Sequence, residues 1–150
     1  MNFIYQTIIK SPVDDVVDAL INPEKTKQYY YGFAIEGEWK EGGKYAYTMN
    51  GAVCIEGVVT ELVPGKKISM TFNGKWIPDV AAHPETTVDY EMWEEGENTY
   101  LKLTHSGLEE GSYAAGALPK GWVNIISGMK TLLETGKPIT IDMQATMQNH

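Results

Sequence analysis

Residues 118–134 read LPKGWVNIISGMKTLLE, which puts Trp122, Ile125, Ile126, Met129, Leu132 and Leu133 on one stripe at helical spacing. Gly136 and Pro138 stop the pattern. A helix with one apolar stripe, roughly 25 Å long, needs a surface to cover. The chain supplies one upstream. Segments 35–39, 43–50, 53–63, 67–73, 86–94 and 99–106 read as strands, joined by turns at Glu41-Gly42-Gly43, Asn50-Gly51, Pro64-Gly65, Asn73-Gly74 and Glu95-Gly96-Glu97-Asn98. Connections this short imply antiparallel hairpins. In the last two strands Val88, Tyr90 and Met92 alternate with Asp89 and Glu91, and Leu101 and Leu103 alternate with Lys102 and Thr104. One face of the sheet is therefore covered and the other meets water.

Working outward, residues 2–10 are rich in β-branched and aromatic side chains and predict a first strand. A helix follows, for which Ser11 is the expected cap, Pro12 fits the first turn and Asp14 and Asp15 favour the positive end. Asn22-Pro23 ends it, and residues 23–31 form a short second helix with three tyrosines before Gly32. The reading is an α+β fold, two short helices after the first strand and an antiparallel sheet covered by a long C-terminal helix.

The 150 residues, 43% of them apolar and 21% charged, make one domain, 1–150, with 137–150 as a C-terminal extension. Cys54, the single cysteine, cannot form an internal disulfide and suits a reducing compartment. The formal charge of −8 opposes nucleic acid and anionic membrane surfaces. Seven acidic residues (Asp79, Glu85, Asp89, Glu91, Glu94, Glu95 and Glu97) lie between Trp76 and Leu101 with no Lys or Arg, and they account for almost all of that charge. The N-terminus lacks a basic region followed by an apolar run, and no stretch approaches the roughly 20 apolar residues of a membrane span, so a cytoplasmic location is expected.

No Gly-rich phosphate loop, HExxH, GxSxG or paired CxxC is present. His83, His105 and His150 stand far apart in sequence, which argues against a metal site, and no cofactor is expected. His105 and Ser106 point to opposite faces of a strand and cannot share a proton. His105 instead continues the inward parity of Leu101 and Leu103, as a polar group on an apolar face. Tyr45 and Tyr47 share one parity, as do Met70 and Phe72, and inward-facing tyrosines need hydrogen-bond partners or a cavity. With Tyr90, Leu103, Trp122 and Met129 these residues are the candidates for lining an apolar space, and Trp76 lies near its mouth.

The segments TIIKSPVDDVVDALINPE (7–24), EGGKYAY (41–47), GVVTELVPGKKISMTF (57–72), LKLTHSGL (101–108) and GWVNIISGMKTLLETG (121–136) together resemble the START-like, or Bet v 1-like, SRPBCC superfamily. The resemblance is to the branch named for the activator of the heat-shock-protein-90 ATPase. It implies a helix-grip fold, with a curved antiparallel sheet around a long C-terminal helix and a cavity between them that holds a hydrophobic ligand in many relatives. It does not carry chaperone activation to this chain, because the founding members have an additional N-terminal domain that contacts the chaperone. The expectation is a binder of a small, apolar, neutral ligand of lipid, polyketide or flavonoid type. Two alternatives stand beside it: a cyclase- or hydratase-like enzyme using His105 or a buried tyrosine, and a co-chaperone or interaction module using Trp39, Trp93 and the tail. Alternating Ile139, Ile141 and Met143 suit an edge strand or a homodimer contact, with a frayed tail as the other reading.

Overall fold

The computed structural model describes residues 1–139. Its elements are β1 (Phe3–Ile9), α1 (Val13–Ile21), α2 (Pro23–Tyr29), β2 (Ala34–Gly37), β3 (Lys44–Met49), β4 (Ala52–Val63), β5 (Lys67–Gly74), α3 (Pro78–Ala81), β6 (Thr86–Glu95), β7 (Asn98–Ser106) and α4 (Tyr113–Thr135). The strands form one antiparallel sheet in the order β1-β7-β6-β5-β4-β3-β2. Burial along β6 and β7 follows the expected alternation, with Val88, Tyr90, Met92, Leu101, Leu103 and His105 inside. Tyr90 sits opposite Leu103, and Val88 opposite His105. This is the curved sheet and long helix of the helix-grip fold. Most of the extension lies outside the described residues, and with it most of the proposed edge strand or dimer contact.

Three local readings change. Ser11 is buried and does not cap α1; the Val13 N–H donates to the Glu94 carboxylate at 2.7 Å, so an acidic residue at the end of β6 serves the positive helix terminus. The Ser11 carbonyl accepts the Thr99 hydroxyl at 2.7 Å. Next, α4 begins at Tyr113 rather than 118, because the Ser112 side chain accepts the Ala115 N–H at 3.1 Å. Its first turn, YAAGA, offers only small residues besides Tyr113 and so shows no apolar stripe. Finally, Asn73-Gly74 is no turn but the paired end of β5, with Gly74 opposite Ile55, and Pro78–Ala81 makes a short helix in what reads as a loop.

Curvature comes from two register shifts, between Tyr47 and Thr48 in the β3–β4 pair and between Val59 and Glu61 in the β4–β5 pair. Gly57 lies two residues before the second shift, and a Cβ there would sit 2.1 Å from the Thr71 carbonyl oxygen. Only glycine lets β4 and β5 approach this closely. On the concave side Val16, Ala19, Leu20, Ile35, Ile55, Ile126 and Met129 join the inner strand residues in one core.

Gly57→Ala is expected to cost about 1–3 kcal/mol of stability through overpacking. Gly116→Ala, in α4 with no atom within 4 Å of an added Cβ, should be neutral or stabilise by up to about 1 kcal/mol. Urea unfolding of the two variants checks the contrast.

Candidate functional site

Nine of the ten residues singled out from sequence lie in the interior between the sheet and α4. Tyr45, Tyr47, Met70, Phe72, Tyr90, Leu103, His105, Trp122 and Met129 are all buried, and Trp76, just past β5, is 37% exposed. The space between them is largely filled. Tyr30 stacks on Tyr47 with ring centroids 4.2 Å apart, and its edge meets Trp122 at 5.9 Å. Tyr90 also meets Trp122 edge-on, at 6.2 Å. One recess of about 50 Å3 is left, to which Phe72, Trp76 and Trp122 contribute, together with Tyr30, Tyr31, Phe33, Ile55, Leu118, Gly121 and Ile125. Tyr45, Tyr47, Met70, Tyr90, Leu103, His105 and Met129 are not among its walls. They form packed core behind it.

Tyr30 and Tyr31 are the residues that sequence reasoning passed over. Both follow from how α2 ends. Tyr30 terminates the helix, and Tyr31 and Gly32 then take positive φ values of 51° and 80°, which turns the chain into β2. Positive φ at a residue as bulky as tyrosine is uncommon and needs support from its surroundings. Here the Tyr31 hydroxyl accepts a hydrogen bond from Asn124 Nδ2 of α4 at 3.0 Å. Gly121 and Gly128 on the same side of α4 leave room for the tyrosine run, Gly128 lying against Tyr29. The sequence signal was the run of three tyrosines directly before Gly32.

A polar chain crosses the apolar interior. The Trp122 indole N–H donates to His105 Nδ1 at 2.9 Å, so that nitrogen carries no proton. His105 Nε2 therefore carries it, and donates to the Thr86 hydroxyl at 2.7 Å. Thr86 in turn donates to the Phe72 carbonyl at 3.3 Å. Each member passes its proton the same way, which fixes the ring as one neutral tautomer. Burial, with a smaller contribution from His83, lowers the His105 pKa to about 4. Both nitrogens are engaged, so His105 offers a bound molecule neither a proton nor a lone pair.

The buried phenols stay protonated. Burial raises Tyr29, Tyr30, Tyr47 and Tyr90 far above the usual tyrosine range, and Tyr45 moves the same way. Tyr45 donates to the Thr71 carbonyl, and Tyr29 to the Ala19 carbonyl at 2.6 Å. His83 is occupied in loop contacts, accepting the Glu109 N–H at 2.9 Å. Cys54 is a buried free thiol beside the Ala52 carbonyl. Among the described residues no three His, Cys, Asp or Glu side chains gather as a metal site would require, and no charged side chain lines the recess.

A second surface lies on the outer face of the sheet. Ile4 is 50% exposed, and Ile8 and Trp93 are each 44% exposed. Ile8, Tyr100 and Trp93 form one row across β1, β7 and β6, with Trp93 stacked on Tyr100 at 5.4 Å. They border an open groove of about 290 Å3. Trp39, by contrast, is half-buried against the core.

His105 has its pKa lowered in the fold, so the folded state prefers the neutral ring while the unfolded chain protonates near 6.5. Its contribution is complete above about pH 6.5 and is lost as pH falls toward 4, amounting to about 3 kcal/mol in all. Urea midpoints measured at successive pH values between 7 and 4 should fall accordingly. In His105→Gln this part of the pH dependence should vanish, though the variant starts out less stable.

Comparison with known proteins supports the architecture. A search of functionally curated proteins by sequence gave no significant match. Among solved structures, the Aha1 dimer of Colwellia psychrerythraea aligns with a TM-score of 0.74 at 21% identity, over 91% of this chain and 98% of that one. CalU16 from Micromonospora echinospora aligns with a TM-score of 0.73 at 20% identity, over 99% and 82%. An HSP90 activator from Plasmodium falciparum aligns with a TM-score of 0.74 at 21% identity, over 89% and 96%. Identities this low speak for the fold. The sequence profile of the Activator of Hsp90 ATPase homolog 1-like proteins matches residues 10–134, and the chain belongs to that family.

Proposed function

We propose that the protein binds a small, mostly apolar and neutral molecule between α4 and the inner face of the sheet, reached through the recess bounded by Tyr31, Trp76, Leu118 and Gly121. The observation that carries this reading is an aromatic, uncharged depression over a core pinned by hydrogen bonds. Ligand pockets commonly measure about 300–1,000 Å3, so a recess of about 50 Å3 accepts a ligand of any size only if its outer walls move. The walls that would have to move are Trp76, partly exposed on the segment after β5, and Tyr31, whose hydroxyl would have to part from Asn124. Burial of apolar ligand surface then supplies the affinity, at about 25 cal/mol per Å2. Acidic residues stay outside, and with no cation in the wall an anionic ligand gains nothing. The engaged state of His105 argues against its use as an acid or base.

A contact between protein molecules is the second reading, favoured by the row Ile8, Tyr100 and Trp93 on the water-facing side of the sheet. Exposed apolar clusters of this kind mark interaction sites, and the Colwellia protein of the same fold is a dimer.

Gly121→Leu tests the first reading, since the added side chain points at Tyr31, whose hydroxyl oxygen and nearest ring carbon lie 3.7 and 4.0 Å from the Cβ position. Native mass spectrometry and thermal shift with a panel of lipids and aromatics should show binding to the natural chain and none to Gly121→Leu, with the variant's unfolding temperature near normal. A natural chain that binds nothing in the panel contradicts the reading. For the second reading, sedimentation should show a concentration-dependent dimer that Trp93→Glu abolishes; a monomer at all concentrations removes it.

A further inference from the structure

We propose that the row Ile8, Tyr100 and Trp93 on the outer face of the sheet is a self-complementary contact, closed by a second copy of the chain about a two-fold axis parallel to the strands, with Lys10 of each copy facing Glu95 of the other. The inference rests on the reading that this row is a contact between protein molecules, and adds to it the partner, its orientation and the residues that set both. Ile8 stands opposite Tyr100, and Tyr100 opposite Trp93. The residues that flank the row are ordered by charge. Lys10 follows Ile9, the partner of Thr99, and so continues the pairing toward Asn98, which stands opposite Glu95. Its Nζ lies 3.9 Å from the Glu97 carboxylate in the turn between β6 and β7, with both side chains largely exposed. On this flank the base therefore lies over β1 and the acid over β6. On the other flank Gln6, Lys102 and Glu91 stand in register across β1, β7 and β6.

Sheets that pack face to face keep their strands within about 30° of one another. Two copies of this face can then be related by a two-fold axis along the strands or across them. An axis along the strands, through Tyr100, lays β1 of one copy over β6 of the other. Ile8 covers Trp93, Tyr100 meets its own copy, and Lys10 meets Glu95; every contact away from the axis occurs twice. Lys102 also meets its own copy, with Glu91 beside it in register to offset the charge. An axis across the strands, through the row, lays each strand on itself. Trp93 then covers Trp93, and Glu95 falls on Glu91, acid on acid. Like charges facing each other suppress that arrangement, while opposite charges fix the register of the first. Burial of the apolar row supplies the attraction, which has no direction of its own. A base–apolar–acid pattern read from β1 to β6 is its own complement, and a second copy presents it by symmetry.

Charge reversal, followed by sedimentation and native mass spectrometry of the full chain, tests the orientation. Lys10→Glu and Glu95→Lys, taken singly, each place two like-charged contacts in the homodimer and should weaken it about tenfold. Glu95→Lys moves the formal net charge from −8 toward zero, which by overall repulsion alone would tighten association, so a loss there reports the contact itself. Mixed in equal amounts, one of them nitrogen-15 labelled, the two variants should form a heterodimer in preference to either homodimer, because each reversed charge then faces its opposite. The chain carrying both reversals should dimerise as the natural chain does. A dimer that Trp93→Glu abolishes but neither charge variant weakens, or a mixture with no preference for the heterodimer, overturns the two-fold along the strands and leaves the row as a contact. A natural chain that stays monomeric at every concentration, leaving the row to the chain's own residues 140–150 or to a different protein, overturns both.

Discussion

The hydrogen bond from the Trp122 indole to His105 is the constraint on which the interior depends. It joins the middle of α4 to β7, and through Thr86 to the Phe72 carbonyl of β5. Hydrophobic burial presses α4 onto the sheet but has no direction of its own. The polar chain adds direction. An indole turned away leaves its own N–H and the His105 nitrogen unpaired in the core, each costing about 1–3 kcal/mol. Trp122 therefore holds one orientation, and Tyr30, Phe72 and Tyr90 are arranged around its ring.

That arrangement explains why the space between sheet and helix is small. Aromatic rings meeting edge to face fill volume efficiently, and Tyr30 and Tyr47, stacked together, occupy room that a large ligand would need. The floor is rigid because its polar atoms are engaged, and the rim is less so. Tyr31 has a single hydrogen bond across to α4, while Trp76 lies two residues past the end of β5. Charge follows the same division. The acidic residues between Trp76 and Leu101 occupy α3, the loop before β6, β6 itself and its following turn, and none of them lines the recess. One of them, Glu94, has a structural use at the start of α1.

Periodicity made most of the architecture legible. The stripe from Leu118 to Leu133 and the alternation around Tyr90 and Leu103 report burial directly, because side-chain direction follows backbone period. The turns at Gly42, Asn50-Gly51, Pro64-Gly65 and Gly96 fall between antiparallel strands as read, whereas Asn73-Gly74 belongs to β5 and the connection to β6 carries α3. What periodicity could not show is a helix start made of small residues, as at Tyr113, or a cap supplied from a distant strand, as Glu94 supplies it to Val13. The site was legible to a lesser depth. Parity put Tyr45, Tyr47, Tyr90 and His105 inside, yet it says nothing about which inward residues border empty space. Tyr30 and Tyr31 lie where a helix ends and the chain reverses, outside any regular pattern, and their place depends on contacts with α4 far along the sequence. Likewise His105 looked like a free polar group on an apolar strand, because its partners Thr86 and Trp122 belong to other elements.

The state of the His105 ring tests this account most directly, and nitrogen-15 NMR of the imidazole reads it without altering the protein. The account requires a neutral ring at pH 6, protonated at Nε2 only, with a Trp122 indole proton that exchanges slowly and couples to His105 Nδ1 across the hydrogen bond. A charged ring at that pH, or a proton on Nδ1, would contradict it.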